Sequence, residues 1–345
     1  MKNTFENFLD RFSEKDWLAA IEKLVPAIHD VDRNAVQIWF RFYPLELFRF
    51  LQTAEDKAKA AQKFVLQGDY ELKNQIDSSH KFLYAHRFWA ETKAEIETRA
   101  ASFNNDSAEL SAVIEEIAQA VAAKVKADQS LTLSIAAVGL MTLNQTGFEA
   151  FKNAPGAIEK PKGILAKSPD QIVKARLEDD SQGIFGFLKT VDKKFTVTFD
   201  ETTADGKFQI VNDEELATGS SKNQTKDWRA TDERRWDGVI PVECRSAACG
   251  TCWIGVLDGE EKLSEVSRLE RKQMKVFGYN QPSDAKPFLR LACQARGYGN
   301  ASIVIPPWNG VFGRKIYGVE DVELQPATTS AKKLRETIAT ATNDE

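Results

Sequence analysis

A chain of 345 residues with 42% apolar and 28% charged side chains and a formal net charge of −5 is composed like a globular protein and is too long for one small module, so two domains are expected. The balance of charge offers no basic footprint for nucleic acid. The opening stretch to Asp10 places acids where a secretory leader needs an unbroken apolar run, and the longest apolar run, Leu131 to Leu143, falls short of the roughly 20 residues that span a bilayer. A cytoplasmic protein with no transmembrane segment is the expectation.

Residues 1–152 read as an all-helical domain, because apolar residues recur at three and four positions and strand-like alternation is nearly absent. Ser13 is placed to cap a helix carrying Trp17, Leu18, Ile21 and Leu24 on one face, which Pro26 interrupts. Val36 to Leu51 holds Trp39, Phe40, Phe42, Tyr43, Phe48 and Phe50 around Pro44, either two bent helical pieces with buried rings or a face for a partner or a membrane surface. Further helical segments are expected at Pro44 to Gln67 and Lys81 to Arg99, and a clear stripe follows in Leu110, Val113, Ile114, Ile117 and Val121. A helical bundle of five or six helices is expected.

Residues 153–190 are broken by prolines and glycines and read as a linker or docking segment, in which Gln171 to Leu177 and Ile184 to Leu188 are the pieces able to dock. From Lys194 the period becomes two. Phe195, Val197 and Phe199 share one face, and Phe208 to Val211 completes a hairpin across Asp205-Gly206. Lys226 to Trp236 is compatible with a short helix, Trp253 to Leu257 with a strand, and Ser267 with Glu270 with a helix cap. Residues 191–318 form the second domain, and 319–345 read as a flexible tail in which Lys332 to Ile338 is a candidate short helix.

All four cysteines, Cys244, Cys249, Cys252 and Cys293, fall into one pattern, Cys-x4-Cys-x2-Cys followed by a longer gap and Cys. Four thiolates at this spacing suit a 2Fe–2S cluster, since the first three fit on one tight loop. Ser246, Ala247, Ala248, Gly250 and Thr251 are small enough to turn that loop and to aim backbone N–H groups at the sulfurs. A structural zinc site is the first alternative, though zinc usually takes paired knuckles in both halves; a disulfide framework is the second.

The run Cys244-Arg245-Ser246-Ala247-Ala248-Cys249-Gly250-Thr251-Cys252, with the later Arg290-Leu291-Ala292-Cys293-Gln294, resembles the cluster-binding segments of plant-type 2Fe–2S ferredoxins. The resemblance covers about residues 191–312. It implies a β-grasp domain and hence an α+β chain, with Cys244 and Cys249 on the iron nearer the surface and Cys252 and Cys293 on the inner one. Three departures limit it. Ala247 stands where the family commonly has glycine, so a positive φ there would be strained. Forty residues separate Cys252 from Cys293, which implies an insertion around Lys262 to Lys286. Residues 191–318 hold 19 Lys+Arg against 18 Asp+Glu, so the acidic docking of photosynthetic members is not expected.

Trp253 reads as core filling beside the loop, and Arg245 as either a contact for a partner carboxylate or a solvated side chain. The histidines, His29, His80 and His86, all lie in the helical domain, and His86 shares a face with Phe82 and Trp89, as a hydrogen-bonded core histidine would. No glycine-rich nucleotide fingerprint is present. The expectation is therefore an electron carrier and not an enzyme, with no catalytic residue, whose helical domain targets it to a redox protein partner. The alternative is a fixed iron–sulfur subunit of a larger oxidoreductase or photosynthetic complex. A redox-sensing or catalytic protein is a third possibility without support from spacing.

Overall fold

The computed structural model describes residues 3–104, 107–158, 166–177, 193–279 and 287–318. The expected tail 319–345 with its candidate helix, the Ile184 to Leu188 piece, much of the linker and the end of the Lys262 to Lys286 insertion lie outside the described residues. The fold is α+β, with helices first and a mixed sheet region after them. The chain forms two compact units: Met1–Glu55 with Glu71–Val173, and Asp56–Tyr70 with Lys174–Glu345.

In the first unit the helix ends follow local chemistry. Ser13 accepts from the N–H of Asp16 while Asp16 returns a bond to the N–H of Ser13, a complete capping box for helix Glu14–Leu24. Pro44 separates helix Asp30–Phe42 from helix Leu45–Thr53. Trp39, Phe40, Phe42 and Tyr43 are all buried, and of the aromatic segment only Phe50 is well exposed. Helix Leu133–Thr146 is the apolar run noted in the sequence. It is buried along nearly its whole length, and Gly139 lets Ile96 and Trp89 close on it, since a Cβ there would lie 2.5 Å from Ile96.

The elements are shorter and more numerous than five or six helices. The segment Lys81 to Arg99 begins as a tight turn, Tyr84–Phe88, before helix Trp89–Ser102. The cause is Asp32, wholly buried, whose carboxylate accepts from the N–H groups of Tyr84 (2.6 Å) and Ala85 (2.9 Å) and from the Ser134 hydroxyl (2.9 Å). A side chain from a distant helix thus caps this one. Among the described residues no helix is long and apolar enough to cross a membrane.

The second unit holds the strands β1 (Gln67–Gly68), β2 (Lys194–Thr198), β3 (Lys207–Val211), β4 (Glu214–Glu215), β5 (Trp253–Asp258), β6 (Leu289–Leu291), β7 (Arg296–Gly297), β8 (Ala301–Val304) and β9 (Trp308–Asn309). Five of them make one mixed sheet in the order β3-β2-β8-β5-β6, with β2 and β8 parallel and the other neighbours antiparallel. The period-two reading holds at residue level: Phe195 and Val197 of β2 and Phe208 and Ile210 of β3 point inward. Gly206 closes the hairpin because a Cβ would lie 1.9 Å from the Asp200 carbonyl oxygen.

Two places differ from the sequence reading. Lys226 to Trp236 forms turns instead of a helix, since Asp227 accepts from the N–H groups of Arg229 and Ala230 and Asp232 accepts from that of Arg234, bonds that compete with helical ones. Residues 56–70, expected within the helical domain, cluster with the sheet unit. There β1 pairs with β9 and the N–H of Val311 donates to the carbonyl of Phe64 at 2.7 Å.

Candidate metal centre

Cys244, Cys249 and Cys252 sit on the loop that enters β5, and Cys293 follows β6, the antiparallel neighbour of β5. The pairing of Trp253 with Leu291 therefore carries Cys252 and Cys293 to the same end of the sheet. The sulfurs group two and two: Cys249 lies against Cys244, its N–H donating to Cys244 Sγ, and Cys252 lies beside Cys293, the N–H of the preceding Ala292 donating to the Cys252 carbonyl. Cys244 is 7% exposed and Cys249 part-exposed, whereas Cys252 and Cys293 are each 2% exposed. One pair is outer and the other inner. Among the described residues, no three His, Cys, Asp or Glu side chains gather at a point suited to a single ion.

The loop backbone is turned toward these sulfurs. The N–H groups of Ser246 (3.4 Å) and Cys249 (3.3 Å) donate to Cys244 Sγ, that of Thr251 donates to Cys249 Sγ (3.5 Å), and Gln294 Nε2 reaches Cys293 Sγ (3.7 Å). This needs left-handed backbone at Arg245 (φ 53), Ala247 (φ 61) and Gly250 (φ 64). The positive φ that glycine would supply at Ala247 is thus kept with alanine. Gly250 has a second reason to be glycine: a Cβ would lie 1.9 Å from the Phe277 ring.

Electrostatics divides each pair. The Cys249 thiol, followed by the N–H groups of Ser246 and Cys249, lowers Cys244 to about 4, against the opposing effect of burial. Cys249 is correspondingly raised, by its bond to Cys244 and by burial. Within the inner pair Cys293 is lowered by the Cys252 thiol and the Ala247 N–H, and Cys252 is raised. In each pair one thiol is thus the easier to ionise. Iron takes all four as thiolates, because the thiolate is the ligand.

Four polarizable sulfurs, arranged two and two with backbone N–H groups turned to the outer pair, fit a cluster of two irons and two sulfides and supply four negative charges against them. Residues 231–296 match the family model described as 2Fe-2S iron-sulfur cluster binding domain. This part of the chain is a 2Fe–2S ferredoxin-type domain. No solved structure matches the chain. The ferredoxin-type domain takes a 2Fe–2S cofactor and serves as an iron–sulfur electron carrier.

Behind the loop lies a set of contacts that the sequence reading did not find. Glu270, wholly buried, receives Arg290 Nε (2.9 Å) and a second guanidinium nitrogen (3.1 Å), and also the N–H of Leu291 (2.7 Å), two residues before Cys293. Ser267 does cap helix Arg268–Phe277 by accepting from the Glu270 N–H. The signal was visible in part: Glu270 is the one acid among the cations of that helix. Asn309 donates to the Gly250 carbonyl (3.3 Å) and accepts from Arg234 (3.0 Å). Trp253 fills the core, with edge-on contacts to Phe277 and Tyr279. Arg245 is engaged within the chain by Thr218 Oγ1 (3.2 Å) and Asp237 (3.4 Å).

The histidines belong to the helical unit. His80 and His86 meet through their Nδ1 atoms at 2.8 Å, and His80 packs on Trp89 at 4.2 Å. His29 accepts from the Val31 N–H.

Proposed function

We propose that Cys244, Cys249, Cys252 and Cys293 hold the cluster, the outer pair on one iron and the inner pair on the other, and that the domain passes single electrons to and from a protein partner. The observation that carries this reading is the two-and-two grouping of the cysteines, with loop N–H groups turned inward to the outer pair. Those N–H groups oppose the negative charge gained on reduction and favour the reduced state. No proton-transfer residue is needed, so the chain is a carrier and not itself an enzyme. Residues 191–318 would be the electron-carrying module and the N-terminal helices a targeting module. Burial of Trp39, Phe40, Phe42 and Tyr43 removes most of the exposed aromatic face that a fixed subunit would use. The cytoplasm is the compartment that suits four thiols kept reduced for iron.

Anaerobically purified protein is expected to contain about two irons and two acid-labile sulfides per chain, with an EPR signal only after one-electron reduction. Colourless protein containing a single zinc would overturn the assignment.

A further inference from the structure

Helix Arg268–Phe277 lies within the long insertion between Cys252 and Cys293, and the two sides of this helix differ sharply. Its inner side buries Glu270, Gln273, Val276 and Phe277. Its outer side exposes Arg268, Arg271, Lys272 and Lys275, with Leu269, 54% exposed, at their edge. None of these four cations has an ion-pair partner among the described residues. The single acid of the helix is turned inward to Arg290. An ordinary solvated helix face mixes both signs; this one carries only positive charge.

The basic surface continues beyond the helix. Helix Gly313–Tyr317 packs against it, with Gly313 pressed on Gly278 and on the Lys275 carbonyl, and exposes Arg314 and Lys315. Lys315 in turn lies against Lys63, and the contact between the two amines lowers its pKa. Holding two like charges together is unfavourable and is relieved by an incoming anion.

The face is also close to the cysteines. Phe277, at one end of the helix, touches Gly250 in the cysteine loop, and Glu270, near the other, holds the strand before Cys293. The outer cations are therefore about one helix diameter, roughly 10 Å, from the segments bearing the sulfurs.

We propose that this outer face is where the domain docks its electron-transfer partner, and that the partner is a protein presenting carboxylates. The proposal rests on the electron-carrier reading above. Charge complementarity selects an acidic surface, and an exposed leucine at the edge of a row of cations suits a transient protein interface, which mixes apolar and polar contacts. A bilayer fits less well, because the helix has turned its apolar side into its own domain and has no such stripe left to insert.

The test uses the full-length, cluster-loaded protein, reduced and mixed with cytochrome c or with its succinylated, acidic form, at low and high salt. The wild type is expected to reduce the acidic form faster at low salt and to lose that advantage as salt rises. Arg271→Glu/Lys272→Glu/Lys275→Glu is expected to slow the acidic acceptor by roughly tenfold or more without slowing the basic one, with cluster absorbance unchanged. Should the triple reversal fail to fold, the corresponding glutamine substitutions serve, with a smaller loss in the same direction. Equal rates for wild type and variant, or equal slowing of both acceptors, would overturn the proposal. So would loss of binding to phosphatidylserine vesicles in the variant with the acidic-acceptor rate intact, which would assign the face to a membrane. Failure of the carrier reading is distinguishable, because the wild type would then show no cluster absorbance and would reduce neither acceptor.

Discussion

Glu270 and Arg290 form a two-bonded ion pair, at 2.9 and 3.1 Å, with side chains 0% and 3% exposed, and the same carboxylate takes the N–H of Leu291. The helix between Cys252 and Cys293 is thereby fastened to the strand that delivers Cys293. Arg290→Met leaves the carboxylate buried without its counter-ion and is expected to cost about 3–5 kcal/mol. Glu270→Leu combined with Arg290→Met is expected to recover part of that loss. Urea unfolding of the loaded protein, with iron content at each step, checks both; equal stability of wild type and Arg290→Met would show that the pair is not needed.

Gly250 combines a left-handed backbone with a ring where its Cβ would be. Gly250→Ala is expected to displace Phe277 and lower cluster occupancy. Ala247→Gly should act the other way, relieving a φ of 61 by about 1 kcal/mol while the visible spectrum is retained. Comparing iron and sulfide per chain with the melting temperature separates the two effects.

Because the four cysteines are brought together only when the loop and β6 are folded, cluster binding and folding of the domain are coupled. Chelation of the iron is expected to lower the melting temperature of the ferredoxin-type domain and leave the helical unit unchanged. Serine at any of Cys244, Cys249, Cys252 or Cys293 is expected to lower iron and sulfide content. Calorimetry with and without the cluster reads the first, and elemental analysis the second.

The His80 and His86 pair predicts an acid sensitivity in the helical unit. Burial and then the neighbouring His86 hold His80 well below its usual value, and burial, with Lys81 adding, brings His86 from 6.5 to about 4. A depressed histidine favours folding fully above its unfolded value, and that contribution is lost as pH falls from about 6.5 through 4. For His86 alone the loss amounts to about 3 kcal/mol. His86→Gln is expected to flatten the difference in stability between pH 7 and pH 4.5. Identical pH profiles for variant and wild type would remove histidine as the cause.

The cysteine spacing, the small residues of the loop, the hairpin at Lys194 to Val211 and the cap at Ser267 were legible from the chain, because each is a local relation in which chemistry depends on neighbours a few residues apart. The change of period from helical to alternating marked where helices give way to strands, and the resemblance at the cysteines implied the α+β class. Other relations were not legible. The partner of Glu270 is 20 residues away at Arg290; Asp32 caps a turn 52 residues on at Tyr84; and residues 56–70 have helical periodicity yet join the sheet unit through Gln67 and Gly68. A buried charge or an unpaired N–H takes whichever partner packing brings within reach. Periodicity specifies which face of an element is buried but not against what. The sequence alone therefore determined the chemistry of the sulfur site, whereas the tertiary structure decided what braces that site and which basic face is left outside.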